Sequence, residues 1–116
     1  MTLLFHYTFI LLAAVSCHSI SKNQELEHAV AEIGNWETLC DYLEVPKSVL
    51  NGLRFANMED TEKKRRCLEA YIDTGKACWE KVVQVVAGHP IHKPRIAKEI
   101  AVKHGVDYRS IVKDEM

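Results

Sequence analysis

The feature that most constrains the fold is an apolar stripe of helical period, which recurs between residue 26 and residue 101. Side chains at positions i, i+3, i+4 and i+7 share one face of an α-helix, so each stripe predicts an amphipathic helix with that face buried. Breaks that contain Gly, Asn or Pro separate the stripes, among them Gly34-Asn35 and Gly88-His89-Pro90. The sequence therefore predicts an all-α bundle.

Six helices are predicted, each from its own stripe. In chain order the stripes are Leu26, Ala29, Val30 and Ile33; Trp36, Leu39, Cys40 and Leu43; Val49, Leu50 and Leu53; Cys67, Leu68, Tyr71 and Ile72; Trp79, Val82, Val83 and Val86; and Ile96, Ala97, Ile100 and Ala101. Asn35 and Asp60 are predicted N-caps, Pro46 and Pro94 first-turn residues, and Gly105 a stop signal. The predicted centre of the core consists of Trp36, Leu39, Leu43, Leu68, Tyr71, Trp79, Val82, Val83, Ile96 and Ile100.

A length of 116 residues, 47% of them hydrophobic and 27% charged, fits one globular domain. The net charge of −1 gives no overall attraction to nucleic acid or to anionic lipid. The charges are nevertheless unevenly placed. Residues 23–45 contain six acidic residues and no Lys or Arg, whereas residues 63–66 are four consecutive bases. One end of the chain is acidic and the other is basic.

Residues 1–21 are predicted to be a signal peptide or a membrane anchor that forms a hydrophobic N-terminal helix. Leu3 to Val15 has the length of a signal-peptide core, and Ala14-Val15-Ser16 supplies a small-x-small cleavage site. No Lys or Arg precedes the core, and read as residues 3–20 the segment just reaches the length of a membrane span. A misjudged start codon and a fragment of a longer receptor are the remaining alternatives. Residues 23–105 form the predicted domain, and residues 106–116 a frayed or loosely docked tail.

The cysteines Cys17, Cys40, Cys67 and Cys78 form no C-x-x-C pair, so the usual zinc spacing is missing and no metal or other cofactor is expected. Most of them lie among apolar residues at helical spacing. We expect buried free thiols in a reducing compartment. A secreted protein would instead carry a disulfide among these four residues.

Charged side chains at helical spacing are the candidate partner-binding residues. They are Glu37, Asp41 and Glu44 on the second helix, Lys63, Lys64, Arg65 and Arg66 on the fourth, and His92, Lys93, Arg95 and Lys98 around the start of the sixth. An acidic patch on one copy can face a basic patch on the next. Equally, charged faces keep helices in water, and Glu62 and Arg66, at i and i+4, can pair with each other.

Four segments of the sequence together resemble the death-domain family. They are the stripe that begins at Trp36, Cys67-Leu68-x-x-Tyr71-Ile72, Cys78-Trp79-x-x-Val82-Val83 and Arg95-Ile96-Ala97-x-x-Ile100. The resemblance covers about residues 23–104. It departs from the family at Cys40, Tyr71 and Cys78, where Ala, Trp and Thr are usual, which leaves the subfamily open. It implies a six-helix antiparallel bundle that binds other death domains, itself included, and signals without catalysis in cell death or innate immunity.

The expected function is therefore that of a non-enzymatic adaptor on the cytoplasmic side of a membrane, with no small-molecule substrate and no nucleic-acid partner. The alternative is a secreted or membrane-tethered small helical binding protein, which the N-terminal segment favours. An enzyme or metal protein is the least favoured reading, because His89 and His92 flank Pro90 without a Cys or Glu at ligand spacing.

Overall fold

A computed structural model describes residues 17–112 of the chain. This part is helical and contains no strand longer than a single bridge. Seven helices follow one another along it: α1 (Asn23–Ala29), α2 (Trp36–Tyr42), α3 (Lys47–Arg54), α4 (Asp60–Asp73), α5 (Trp79–Ala87), α6 (Pro94–His104) and α7 (Tyr108–Ile111). The prediction of an all-α chain is confirmed, with α7 as a helix that the sequence pattern did not predict.

Local sequence signals set the start of α2 and the end of α6. Asn35 caps α2, with its side-chain oxygen accepting a hydrogen bond from the Thr38 N–H at 3.1 Å. Gly105 ends α6 in the left-handed region at φ 74°, where a residue without Cβ is favoured. The predicted cap at Asp60 is wrong by one residue, because Asp60 is already helical and Glu59 precedes it without a side-chain cap.

The first helix is shorter than its stripe. It ends at Ala29, although Val30 and Ile33 are still buried. The Lys64 ammonium on α4 donates hydrogen bonds to the carbonyls of Val30, of Ala31 at 3.4 Å and of Ile33 at 2.6 Å. Carbonyls lose their helical donors where a helix stops, and the lysine from a neighbouring helix supplies one here, beside the Ile33 N–H that also donates to Val30 O at 3.1 Å. Burial lowers the pKa of Lys64, against a smaller opposing effect of Glu27.

The helices form two groups that meet at α2. The α4 helix packs against α1, α2 and α3, while α5 packs extensively against α6 and also contacts α7. Contact between α2 and α5 joins the groups into one core. All ten side chains predicted for the centre of the core are buried, and Leu39, Leu68, Val82 and Val83 have no exposed surface.

Residues 17–20 pair with the start of α5 and are not helical. Ser19 and Cys78 form an antiparallel bridge, flanked by hydrogen bonds from Ile20 N to Ala77 O (3.1 Å) and from Trp79 N to His18 O (2.8 Å). Ile20 is 6% exposed and belongs to the core. The segment predicted as a signal or anchor thus overlaps the folded domain at its end. Its first 16 residues, with the predicted hydrophobic helix, lie outside the described residues.

The segment after α6 is more ordered than its mixed composition predicts. Val106 is buried, and α7 packs against both α5 and α6. Lys98 of α6 lies over the Tyr108 ring, 5.5 Å from its centroid. The domain therefore extends through residue 112, beyond the predicted boundary at residue 105.

No helix of the described residues is long and apolar enough to cross a membrane.

The expectation that all four thiols are free is wrong. Cys40 of α2 and Cys67 of α4 are joined by a disulfide, with their Cα atoms 6.5 Å apart and both side chains fully buried. Cys17 and Cys78 are free. The pattern placed Cys40 and Cys67 correctly on buried faces, but sequence spacing carries no information about which buried faces meet.

Candidate partner-binding surface

The acidic residues predicted on α2 are mostly paired within the chain. Glu37 is half-buried and accepts a hydrogen bond from Arg54 Nε of α3 at 2.6 Å. Glu44, which follows α2 at φ 67°, accepts one from Lys81 Nζ of α5 at 3.1 Å. Asp41 lies exposed between them and makes no ion pair with any other described residue. Asp41 is therefore the one carboxylate of these three that is not paired with a cation of the described residues.

Two open grooves meet at Asp41. The groove between α2 and α3 is lined by Asn35, Glu37, Thr38, Asp41, Lys47, Leu50, Asn51 and Arg54. The groove between α2 and α5 is lined by Asp41, Tyr42, Glu44, Lys81, Gln84, Val85, Gly88 and His89. The Tyr42 ring is 48% exposed on the ridge between the grooves. The acidic stripe is thus a ridge that carries one aromatic ring and one unpaired carboxylate.

The four bases of α4 divide into three roles. Lys64 points inward onto the carbonyls after α1 and is removed from the candidate surface. Lys63 reaches the Arg54 carbonyl at 3.3 Å. Arg65 and Arg66 both donate to Glu62, from Nε at 3.1 Å and 2.9 Å, so the foreseen pairing of Glu62 with Arg66 is present. Hydrogen bonds from these two guanidinium groups lower the pKa of Glu62 to about 2, so one carboxylate is shared between two cations.

The residues at the start of α6 are also largely engaged. Arg95 pairs with Glu99 at 3.1 Å and with Glu32 at 3.4 Å, and Lys98 contacts the Tyr108 ring. His89 and His92 stack with their ring centroids 4.6 Å apart, in a loop closed by a hydrogen bond from Lys93 N to Val86 O at 2.8 Å. Because α4 packs on α1 to α3 and α6 on α5 and α7, the two predicted basic regions lie on different parts of the bundle.

Two exposed apolar side chains were missed by the sequence reasoning. Phe55, which directly follows α3, is 83% exposed, and Val102 on α6 is 84% exposed. Each residue lies outside the apolar stripe of its helix. An apolar residue outside the stripe was the signal available in the sequence. Phe55 comes directly after Arg54, the residue that both pairs with Glu37 and lines the α2–α3 groove. Aromatic side chains and arginine are both enriched in protein–protein interfaces.

A second cluster lies where residues 17–20 meet α5. The Cys17 and Cys78 sulfur atoms and a carboxylate oxygen of Glu80 all lie within 4.8 Å of one another. Glu80 also accepts a hydrogen bond from the His18 N–H at 2.8 Å and is bonded to the His18 ring. Burial raises the pKa of Glu80, but the hydrogen bonds from His18 outweigh it and the net shift is downward.

Comparison with known proteins adds no relative to this picture. No protein-family model, no curated protein and no solved structure matches the chain.

Proposed function

We propose that the chain is a non-enzymatic protein–protein interaction module built on a bundle of the death-domain type, which acts in signal transduction. Support for the bundle type comes from the order of α1 to α6 and from the two tryptophans. Trp36 and Trp79 are each the first residue of a helix, α2 and α5, and both are buried. Their burial leaves the polar outside of the bundle as the surface for partners.

The observation that carries the proposal is the exposed ring of Phe55, which directly follows Arg54, a lining residue of the α2–α3 groove. Burying an aromatic ring of this size against a partner is worth about 1.5–3 kcal/mol, more than an exposed ion pair contributes. The Glu37–Arg54 pair and the unpaired Asp41 line this groove. We define this contact face as Glu37, Asp41, Arg54 and Phe55.

The partner in this proposal is a second copy of the chain. Arg65 and Arg66 share the Glu62 carboxylate on the outer face of α4, and each guanidinium keeps further donors that can meet Asp41 of the neighbouring copy. Such a contact joins two different faces, so it propagates head to tail and does not close into a symmetric dimer. Since Glu37, Arg65 and Arg66 are already paired within the chain, we expect the association to be moderate and to weaken with added salt.

Sedimentation at several protein and salt concentrations tests this contact with two variants. Asp41→Lys alters the contact face, and Arg65→Glu with Arg66→Glu alters α4. Each variant alone is expected to self-associate at least tenfold more weakly than the wild type, and a mixture of the two is expected to recover part of the loss. Phe55→Ala is expected to weaken association as well. Val102→Ala, at an equally exposed residue on α6, is the matched control and should have no effect. Undiminished association of both charge variants, or a wild type that stays monomeric at every concentration, contradicts the proposal.

A second candidate is an exported small helical binding protein, and the Cys40–Cys67 disulfide favours it. Buried disulfides persist mainly in oxidising compartments, whereas cytosolic signalling domains keep their thiols reduced. Expression with a C-terminal tag, followed by protease protection and mass measurement, distinguishes the two. A tag protected in the cytosol supports the adaptor, and a secreted product that has lost the N-terminal segment supports the exported protein.

A further inference from the structure

The two free cysteines are held against each other by the backbone on both sides. Cys17 precedes the Ser19–Cys78 bridge by two residues, so Cys17 and Ser19 lie on the same side of the short antiparallel pairing. This brings Cys17 diagonally opposite Cys78, and the two sulfur atoms lie within 4.8 Å of each other. Their proximity follows from the pairing of the chain.

Both backbones are fixed by contacts that do not involve sulfur. On the N-terminal side, Ile20 is buried in the core and His18 bonds to Glu80 through its N–H and its ring. On the α5 side, the Tyr71 hydroxyl accepts a hydrogen bond from Cys78 N at 3.2 Å and donates one to Cys78 O at 3.4 Å. The Cys17 side chain is exposed and that of Cys78 is half-buried, so both can rotate to shorten the distance between the sulfur atoms.

The chain already contains one disulfide, and that fact sets the expected chemistry. Cys40 and Cys67 are bonded, so the four cysteines leave only this neighbouring pair. Conditions that maintain the first bridge also oxidise a second pair of close thiols. We propose that Cys17 and Cys78 form a second disulfide, which fastens the N-terminal segment to the start of α5.

The reaction is thiol–disulfide exchange with a small or protein-borne disulfide as the oxidant. One thiolate attacks the donor disulfide and forms a mixed disulfide, which releases one donor thiol. The second thiolate then attacks the mixed disulfide and releases the other donor thiol. Two protein thiols lose two electrons in total, and the donor disulfide takes them up as two thiols together with the two protons.

The local electrostatics determine the rate of this step. Burial, the neighbouring Cys78 and the Glu80 carboxylate raise the pKa of Cys17 to about 11. The Cys17 thiol therefore stays protonated at neutral pH and is a poor nucleophile. Uncatalysed oxidation is accordingly expected to be slow at pH 7 and to accelerate as the pH rises.

Zinc binding is the alternative to disulfide formation for the same sulfur atoms. A structural zinc site needs four ligands, and Cys17 and Cys78 supply two thiolates. Glu80, the third group within reach, is already held by both His18 hydrogen bonds. Disulfide formation is the use that needs no additional ligand.

Peptide mapping of the full chain tests the proposal directly. The purified protein is oxidised with oxidised glutathione at alkaline pH until no further thiol is lost, its free thiols are alkylated after denaturation without reduction, and it is digested with trypsin. Cleavage after Lys and Arg places the four cysteines in four peptides: one ending at Lys22, 23–47, 67–76 and 77–81. The expected result is peptide 77–81 linked to the peptide that ends at Lys22, and peptide 23–47 linked to 67–76. Free alkylated peptide 77–81, or a link from it to 23–47 or 67–76, overturns the proposal.

Two single variants and a metal titration complete the test. Cys17→Ser should leave Cys78 fully alkylated with the Cys40–Cys67 link intact, and Cys78→Ser should do the same for Cys17. The reduced wild-type protein is titrated with Zn²⁺ against a chromophoric chelator. Stoichiometric binding that both variants abolish would assign the cluster to a metal and reject the disulfide. The oxidation is carried out on purified protein, so its result does not depend on the proposed contact face or on where the cell places the chain.

Discussion

The indole of Trp79 stacks on the imidazole of His104, with the ring centroids 3.6 Å apart and the planes inclined by 11°. Trp79 is the first residue of α5 and His104 is the last residue of α6. The stack therefore lies at one end of the α5–α6 contact, which is the most extensive helix–helix contact among the described residues. Residues 17–20 lie beside it, since His18 accepts a hydrogen bond from Trp79 N. The position joins three parts of the chain, which makes it the best place to test the core.

Replacement of Trp79 by Ala is expected to lower the free energy of unfolding by about 3–5 kcal/mol, because it leaves a large cavity and removes the partner of His104. A loss of that size unfolds much of a small domain. Trp79→Phe keeps an aromatic ring and should lose clearly less. Urea denaturation followed by circular dichroism measures both variants. A Trp79→Ala protein with a native-like transition would contradict the role of this residue in the core.

Stability should fall in mild acid because of His104. Burial lowers the pKa of His104 in the folded protein, Glu25 opposes this shift, and Lys103 and His18 add to it. A histidine with a depressed folded pKa takes up its proton more readily when the chain is unfolded. Its contribution is therefore complete above the unfolded value of about 6.5 and is lost as the pH falls through the folded pKa.

The variant His104→Phe retains a ring against Trp79 and removes the titration. Thermal melts at intervals from pH 8 to pH 5 should show a smaller fall in midpoint for this variant than for the wild type. Identical pH profiles would mean that His104 does not contribute to the acid sensitivity.

Adjacent lysines on α4 are expected to differ in their effect on stability. Lys64→Ala leaves the Ile33 carbonyl without its donor, removes one of the two hydrogen bonds to the Val30 carbonyl, and should cost about 1–3 kcal/mol. Lys63→Ala removes one long hydrogen bond near the surface and should stay within about 0.5 kcal/mol of the wild type. Chemical denaturation of the pair gives the comparison, and equal losses would show that Lys64 is not the cap of the α1 end.

The Cys40–Cys67 bridge should stabilise the domain by about 2–4 kcal/mol. We expect Cys40→Ala with Cys67→Ala, made in a Cys17→Ser, Cys78→Ser background, to lose this amount in urea denaturation. Addition of a reductant should lower the stability of the background protein and leave the double-alanine variant unchanged. A background protein that is insensitive to reductant would show that the bridge has no part in its stability.

The sequence was most informative where a structural feature depends on near neighbours. The Asn35 cap, the Gly105 stop and the Glu62–Arg66 pair each involve residues within one helical turn, and their spacing alone predicts them. Burial of Trp36 and Trp79 likewise follows from the period of their stripes. These signals predicted the all-α architecture, the start of α2 and the end of α6.

Features that depend on residues far apart in the chain were not predictable in the same way. Lys64 was assigned to a partner-binding patch because its neighbours are basic, but it lies beside the carbonyls after α1, more than thirty positions away in sequence. The Arg54 and Lys81 partners of Glu37 and Glu44 are of the same kind. Local pattern shows which side of a helix is polar, while only the packing of helices shows which polar groups meet.

The pairing of residues 17–20 with the start of α5 has a mechanical consequence. Tension applied through the residues that precede Cys17 reaches α5 through the hydrogen bonds at residues 18 and 20, before it acts on α1. A domain tethered by its amino end would therefore first peel this short pairing, exposing the edge of Trp79 while the remaining helices stay packed. A covalent link between Cys17 and Cys78 would transmit the force to α5 without breaking the hydrogen bonds of this pairing.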